Sequence, residues 1–167
     1  MNFSIKVTLI FLGKKEHSYQ SYEVLVADFN ACYEWIPSSN GRRHDGAIEG
    51  GFTSNGEKLY IGRIRHDGVM TYGKIHPSNG GLFIAYGSKE HPYQHGYEIL
   101  VSKGFRGYNP PTQHAGFVWV KSSGGEKVVG AIDGGDGMYV GRAFHQRDLV
   151  PGKVHRAHRS LYIPWGK

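Results

Sequence analysis

The chain has 167 residues, 25 of them glycine, and one cysteine, with a formal net charge of +6. That length fits one domain, or two small units packed closely together, with enough residues for a true core. A single cysteine excludes an internal disulfide framework, and no apolar run approaches the length that crosses a bilayer.

Taken from the N-terminus, Phe3 to Gly13 contains an apolar run that resembles a secretory leader. It lacks a charged leading region and a small-residue cleavage site, so it is read as a strand, within which Ile5 to Phe11 is the core. Gly13-Lys14-Lys15-Glu16-His17 and Tyr22-Glu23-Val24-Leu25-Val26 follow, and residues 27–32 read as a connector. Further strands are expected at Tyr33 to Ile36, Leu59 to Ile64 and Leu82 to Tyr86, then at Phe117 to Val120 and Ser160 to Ile163, where β-branched and aromatic residues cluster. Between them stand Asn40-Gly41, Asp45-Gly46, Asn55-Gly56, Asp67-Gly68, Asn79-Gly80 and Asp136-Gly137, dipeptides that favour hairpin turns because they tolerate positive φ. A glycine- and proline-rich stretch over residues 102–116 reads as a second connector. No segment keeps apolar residues at helical spacing for three turns, so the expected class is all-β, built of short antiparallel strands.

The strands repeat. Gly46-Ala47-Ile48-Glu49-Gly50-Gly51 returns as Gly130-Ala131-Ile132-Asp133-Gly134-Gly135, Tyr60-Ile61-Gly62-Arg63 as Tyr139-Val140-Gly141-Arg142, and Gly73-Lys74-Ile75-His76 as Gly152-Lys153-Val154-His155. The first copy continues through Lys89-Glu90-His91 and Tyr97-Glu98-Ile99-Leu100-Val101, whereas the second stops at Lys167, and its missing tail matches the N-terminal Lys15-Glu16-His17 and Tyr22 to Val26. Repeat one is therefore placed at 33–101 and repeat two at 117–167 completed by 9–26, with the strand at Leu9 to Leu12 beside the one near Tyr162. Such units bury their apolar faces against each other, which predicts one pseudo-symmetric body whose terminal strands meet.

Chemical motifs are sparse. The chain has no nucleophile elbow, phosphate loop or His-Glu-x-x-His, which argues against an enzyme, and no cofactor is expected. His155-x-x-His158 invites a metal reading, but His155 matches His76, so both are read as repeated structural residues that bond to neighbouring backbone, and no metal is expected. Lys and Arg are scattered apart from Arg42-Arg43-His44 and the His155 to Arg159 stretch, which argues against nucleic acid. Trp35 and Trp119 are assigned to core or inter-repeat packing. Glu49, Asp133, Arg63 and Arg142 are read as ion pairs that lock each repeat, and Glu16 with Lys15 and Glu90 with Lys89 as pairs at turns.

Together, Ala47 to Gly51, Leu59 to Arg63, Gly73 to His76, Lys89 to His91 and Tyr97 to Leu100 resemble the DM9 repeat of natterin-like proteins. The resemblance covers residues 9–26, 33–101 and 117–167. Two complete repeats are usual, so this chain looks like a circular permutant or an oligomer that exchanges the broken strand. The resemblance implies a lectin that recognises mannose-containing glycans on microbial or cell surfaces without calcium, as in innate recognition, and a homodimer. It also implies a site where an Asp after Gly-Gly and the Lys of a Pro-Gly-Lys turn hold adjacent hydroxyls. In the second repeat these are Asp136 and Lys153, with Asp148 as an additional acid; in the first they are Thr53 and Lys74, with Tyr72 in place of the proline. The first site is thus expected to be weaker or altered. A non-enzymatic structural protein that associates with membranes or vesicles is the alternative. The composition suits a cytoplasmic or vesicular pool, released without a signal peptide.

Overall fold

The computed structural model describes residues 15–106, 116–133 and 137–166. The strands expected over Ile5 to Phe11 and Leu9 to Leu12, and the expected site residue Asp136, lie outside them. In chain order the strands are β1 (Lys15–Tyr19), β2 (Ser21–Ala27), β3 (Ala31–Ser38), β4 (Glu49–Phe52), β5 (Lys58–His66), β6 (Val69–His76), β7 (Gly81–Tyr86), β8 (Lys89–Tyr93), β9 (Tyr97–Phe105), β10 (Phe117–Ser123), β11 (Met138–His145), β12 (Asp148–His155) and β13 (Ser160–Trp165). The body is an all-β closed barrel. β5, β6, β7, β8, β1, β13 and β12 follow one another through antiparallel ladders, and β4 pairs with both β12 and β5 to close the ring. From β5 the sheet continues into β9 and β3, and from β12 into β11, β2 and β10.

The pairings come in two sets. β3 pairs β9 along its whole length as β10 pairs β2. Arg63 lies opposite Glu98 as Arg142 lies opposite Glu23, and β7 pairs β8 as β13 pairs β1, from Lys15 against Trp165 to Tyr19 against Leu161. Among the described residues the last strand, β13, therefore meets the first, β1, as packing of two related units demands. At the β5 to β6 hairpin Asp67 and Gly68 both adopt positive φ, the geometry a two-residue turn requires. β7 is buried along almost its full length, which accounts for its continuous apolar run.

Three clusters form the core. One is built from Ala47, Tyr60, Ile75, Ile84 and Ile99, and its counterpart from Tyr22, Val24, Tyr139, Val154 and Ile163. The third joins the halves through Leu25, Ile48, Ile61, Leu100, Ile132 and Val140, against which Trp35 and Trp119 pack.

The repeated arginines do form ion pairs, but with other acids than each other's motif supplies. Arg63 Nε donates to Glu98 Oε1 at 2.9 Å with its guanidinium over Trp35, and Arg142 Nε donates to Glu23 Oε1 at 3.0 Å over Trp119. Glu49 instead pairs with Lys58 at 2.6 Å on the surface. The pair of Glu90 with Lys89 assigned to a turn is also corrected, since Glu90 pairs with Lys74. Sequence neighbours on a strand point to opposite faces, so Lys89 and Glu90 diverge.

Candidate functional site

β6 and β12 carry the repeated Gly-Lys pair within the strand, not in a turn. The glycine is needed for close approach: a Cβ on Gly73 would stand 2.0 Å from the Phe83 carbonyl oxygen and one on Gly152 2.1 Å from that of Tyr162. With the next strand drawn in so tightly, the following lysine is enclosed. Lys74 and Lys153 are each only 5 % exposed, and a buried ammonium must find compensation.

Lys74 finds it in Glu90 on β8, whose Oε1 lies 3.3 Å from Nζ and whose side chain is 2 % exposed. The pair lies in a cleft of about 720 Å³ whose walls include Asn79, Phe83, Gln94 and Gly166. Lys153 lies in a cleft of about 460 Å³ with Glu16, Tyr86, Ser88, His155, His158 and Tyr162. Its ammonium stands 5.0 Å from the Tyr86 ring centre and makes no ion pair among the described residues. Burial pushes the Lys153 pKa down, and the Glu16 charge opposes that only in part. A further cleft of about 700 Å³ lies beside Tyr22, Phe144 and Leu149; there Arg142 and Glu23 already satisfy each other.

The other expected residues fall elsewhere. Thr53 shapes the turn between β4 and β5, its Oγ1 accepting from Glu57 N at 3.2 Å, and it does not line the cleft of Lys74. Asp148 stands near the start of β12, an odd number of residues from Lys153 and hence on the opposite face of the strand. Its carboxylate accepts from Ser54 N at 2.7 Å and from Trp165 Nε1 at 2.9 Å, so it fastens the C-terminal strand to the β4 to β5 turn. His155 bonds neighbouring backbone as expected, its Nδ1 accepting from His158 N at 3.4 Å, whereas His76 bonds side chains instead, its Nε2 meeting Glu57 Oε2 at 3.1 Å. Burial alone would raise the Glu57 pKa, but hydrogen bonds from Ser78 and His76 outweigh it and hold the carboxyl below its ordinary value.

Two clusters of histidine and aromatic rings flank these lysines, and motif reasoning passed over them. The His17 and His145 rings pack at a tilt of 36° with centres 4.0 Å apart, His145 lies 4.6 Å from Trp165, and Tyr19 Oη bonds His145 Nδ1 at 2.6 Å. In the other half His66 lies 4.6 Å from His91 and 4.5 Å from Tyr86, and the Tyr93 hydroxyl bonds His66 Nδ1. The signal was present as Lys-Glu-His-x-Tyr at Lys15 to Tyr19 and again at Lys89 to Tyr93. Each cluster faces the lysine of the opposite half: the charge of Lys74 acts on His17 and His145, and Tyr86 faces Lys153.

These histidines should make the fold acid-sensitive. Burial lowers the pKa of His17, aided by His145, Lys15 and Lys74; burial also lowers that of His145, where Asp148 opposes and Lys74 assists. The unfolded chain thus binds these protons at higher pH than the folded one. Stability is fully present above the ordinary value of 6.5 and falls as pH drops from there toward the folded values. The melting temperature should decrease between neutral and mildly acidic pH, and the double variant His17→Gln, His145→Gln should flatten that slope. A melting temperature that rises on acidification would contradict this account.

An ammonium with a carboxylate beside it can bracket two adjacent hydroxyls, because the first only donates and the second only accepts while a hydroxyl does both. Among the described residues, no group of three His, Cys, Asp or Glu side chains is placed to hold a metal ion. A family model described as the DM9 repeat matches the chain twice, over residues 3–93 and 83–167. The two spans follow one another along the chain and do not show a permuted order. No curated protein matches the chain.

Proposed function

The chain belongs to the DM9 repeat family, and from that premise we propose that it is a lectin with two metal-independent sugar sites, one at each buried lysine, and that mannose-containing glycans are its ligands. DM9 repeats are associated with carbohydrate-binding, lectin-like proteins. The observation that carries the reading is the Lys74 and Glu90 pair, 3.3 Å apart at the base of an open cleft. Nζ donates to one hydroxyl of a vicinal diol and Oε1 accepts from the next, while Phe83 offers an apolar face to the sugar ring. The acid in this pair is Glu90, contributed by β8, in place of the Asp or Thr after Gly-Gly.

Two sites on one barrel raise the avidity for a branched or clustered glycan through effective concentration, which offsets the weakness of single sugar contacts. Titration calorimetry of the full chain with methyl α-mannoside should give heat that persists in EDTA and exceeds that of a galactoside control. Glu90→Gln should weaken mannoside binding by about tenfold or more, the loss of a charge-assisted hydrogen bond. Absence of heat with the folded protein, or heat abolished by EDTA, would overturn the reading.

A further inference from the structure

We propose that the two clefts differ in ligand charge, the Lys153 cleft taking a saccharide that bears a carboxylate, phosphate or sulfate while the Lys74 cleft takes a neutral sugar. This rests on reading both clefts as sugar sites. The difference arises from how the matched acid is paired and from substitutions at two matched positions, Asn79 to His158 and Phe83 to Tyr162. The Lys74 ammonium is neutralised inside the cleft by Glu90. Around it, Asn79 Nδ2 bonds His76 Nδ1 at 2.9 Å, and His76 is held in turn by the Glu57 carboxylate. That cleft therefore carries its own counter-charge, the carboxylate of Glu90.

At Lys153 the matching acid is Glu16, the one carboxylate among the residues described around this cleft. Glu16 Oε1 accepts from Ser88 N at 3.3 Å across the β7 to β8 turn, and it forms no ion pair with Lys153. His158 stands where the first cleft has Asn79, and Tyr162 where it has Phe83. The His158 ring lies flat on that of His155, with 3.6 Å between centres and 3° between planes, and Tyr162 Oη meets His158 Nδ1 at 3.2 Å. The result is a lysine 5 % exposed, with imidazoles and a phenol about it and no paired carboxylate among the described residues. A buried cation without a paired carboxylate is costly, and a bound anion removes that cost, whereas a neutral hydroxyl does so only in part.

The test compares mannose 6-phosphate with methyl α-mannoside by titration calorimetry on the full chain, with inorganic phosphate as a third titrant. The variants are Lys153→Met, Lys153→Arg and Lys74→Met, each checked for the native circular dichroism spectrum. The wild type is expected to bind mannose 6-phosphate about tenfold more tightly than the mannoside, with the preference reduced at high salt. Lys153→Met should lose the preference and keep mannoside binding, Lys153→Arg should retain it, and Lys74→Met should weaken the mannoside alone. Equal affinity for the two sugars, or a preference that survives in Lys153→Met, overturns the charge assignment and leaves the sugar reading intact. Inorganic phosphate binding as tightly as mannose 6-phosphate also overturns it, since the cleft would then hold a bare anion. If neither sugar binds the folded wild type, it is the sugar reading itself that fails.

Discussion

Replacing Gly152 by alanine is expected to leave no cooperatively folded protein. The added Cβ would lie 2.1 Å from the Tyr162 carbonyl oxygen and 3.0 Å from Ile163 Cγ2. The obstacle is backbone, so no rotamer change relieves it, and β12 and β13 must separate where Lys153 opposes Tyr162. Opening that ladder also opens the ring and unpacks Val154, Leu161 and Ile163, all fully buried. The loss amounts to several kcal/mol, a large part of the ~5–15 kcal/mol that a domain of this kind holds in reserve. Gly68→Ala is the informative control. Gly68 also has an unusual backbone, φ +78, but a Cβ there meets nothing within 4 Å, so only the left-handed strain remains, about 1–2 kcal/mol. Thermal melts followed by circular dichroism should show no transition for Gly152→Ala and a modest shift for Gly68→Ala. A Gly152→Ala protein melting within a few degrees of the wild type would refute the close-approach argument.

Removing residues 1–27 is expected to be as damaging. β2 lies between β10 and β11, and β1 between β13 and β8. Without them β10 loses its whole ladder, the ring opens between β13 and β8, and Val24 and Leu25, both 0 % exposed, leave two of the three clusters. Arg142 would also be left half-buried without Glu23, and an orphaned charge of that kind costs more than the pair contributed. The truncated chain should show random-coil amide dispersion by NMR, and a peptide of residues 15–27 added in trans should restore part of the native spectrum. A truncated protein with native dispersion on its own would show that the remaining strands close without β1 and β2.

Much of this molecule was legible in one dimension. The all-β class and the duplication followed from strand runs, turn dipeptides and repeated motifs, because a strand and its hairpin are set by neighbours within a few residues. The resemblance to the DM9 repeat, together with the repeated Gly-Lys pairs, pointed to the two lysines of the candidate sites. Their surroundings were another matter. Glu90 rather than Thr53 stands beside Lys74, Asp148 faces away to Trp165 and Ser54, and Arg63 and Arg142 reach acids on strands distant along the chain.

The amino-acid sequence alone determined that two related β units would form one body, since the apolar face of each must be covered and the other is the nearest cover. Only the tertiary structure decided which carboxylate compensates which buried cation. That choice depends on register between strands far apart in the chain, where a shift of one residue turns every side chain to the other face.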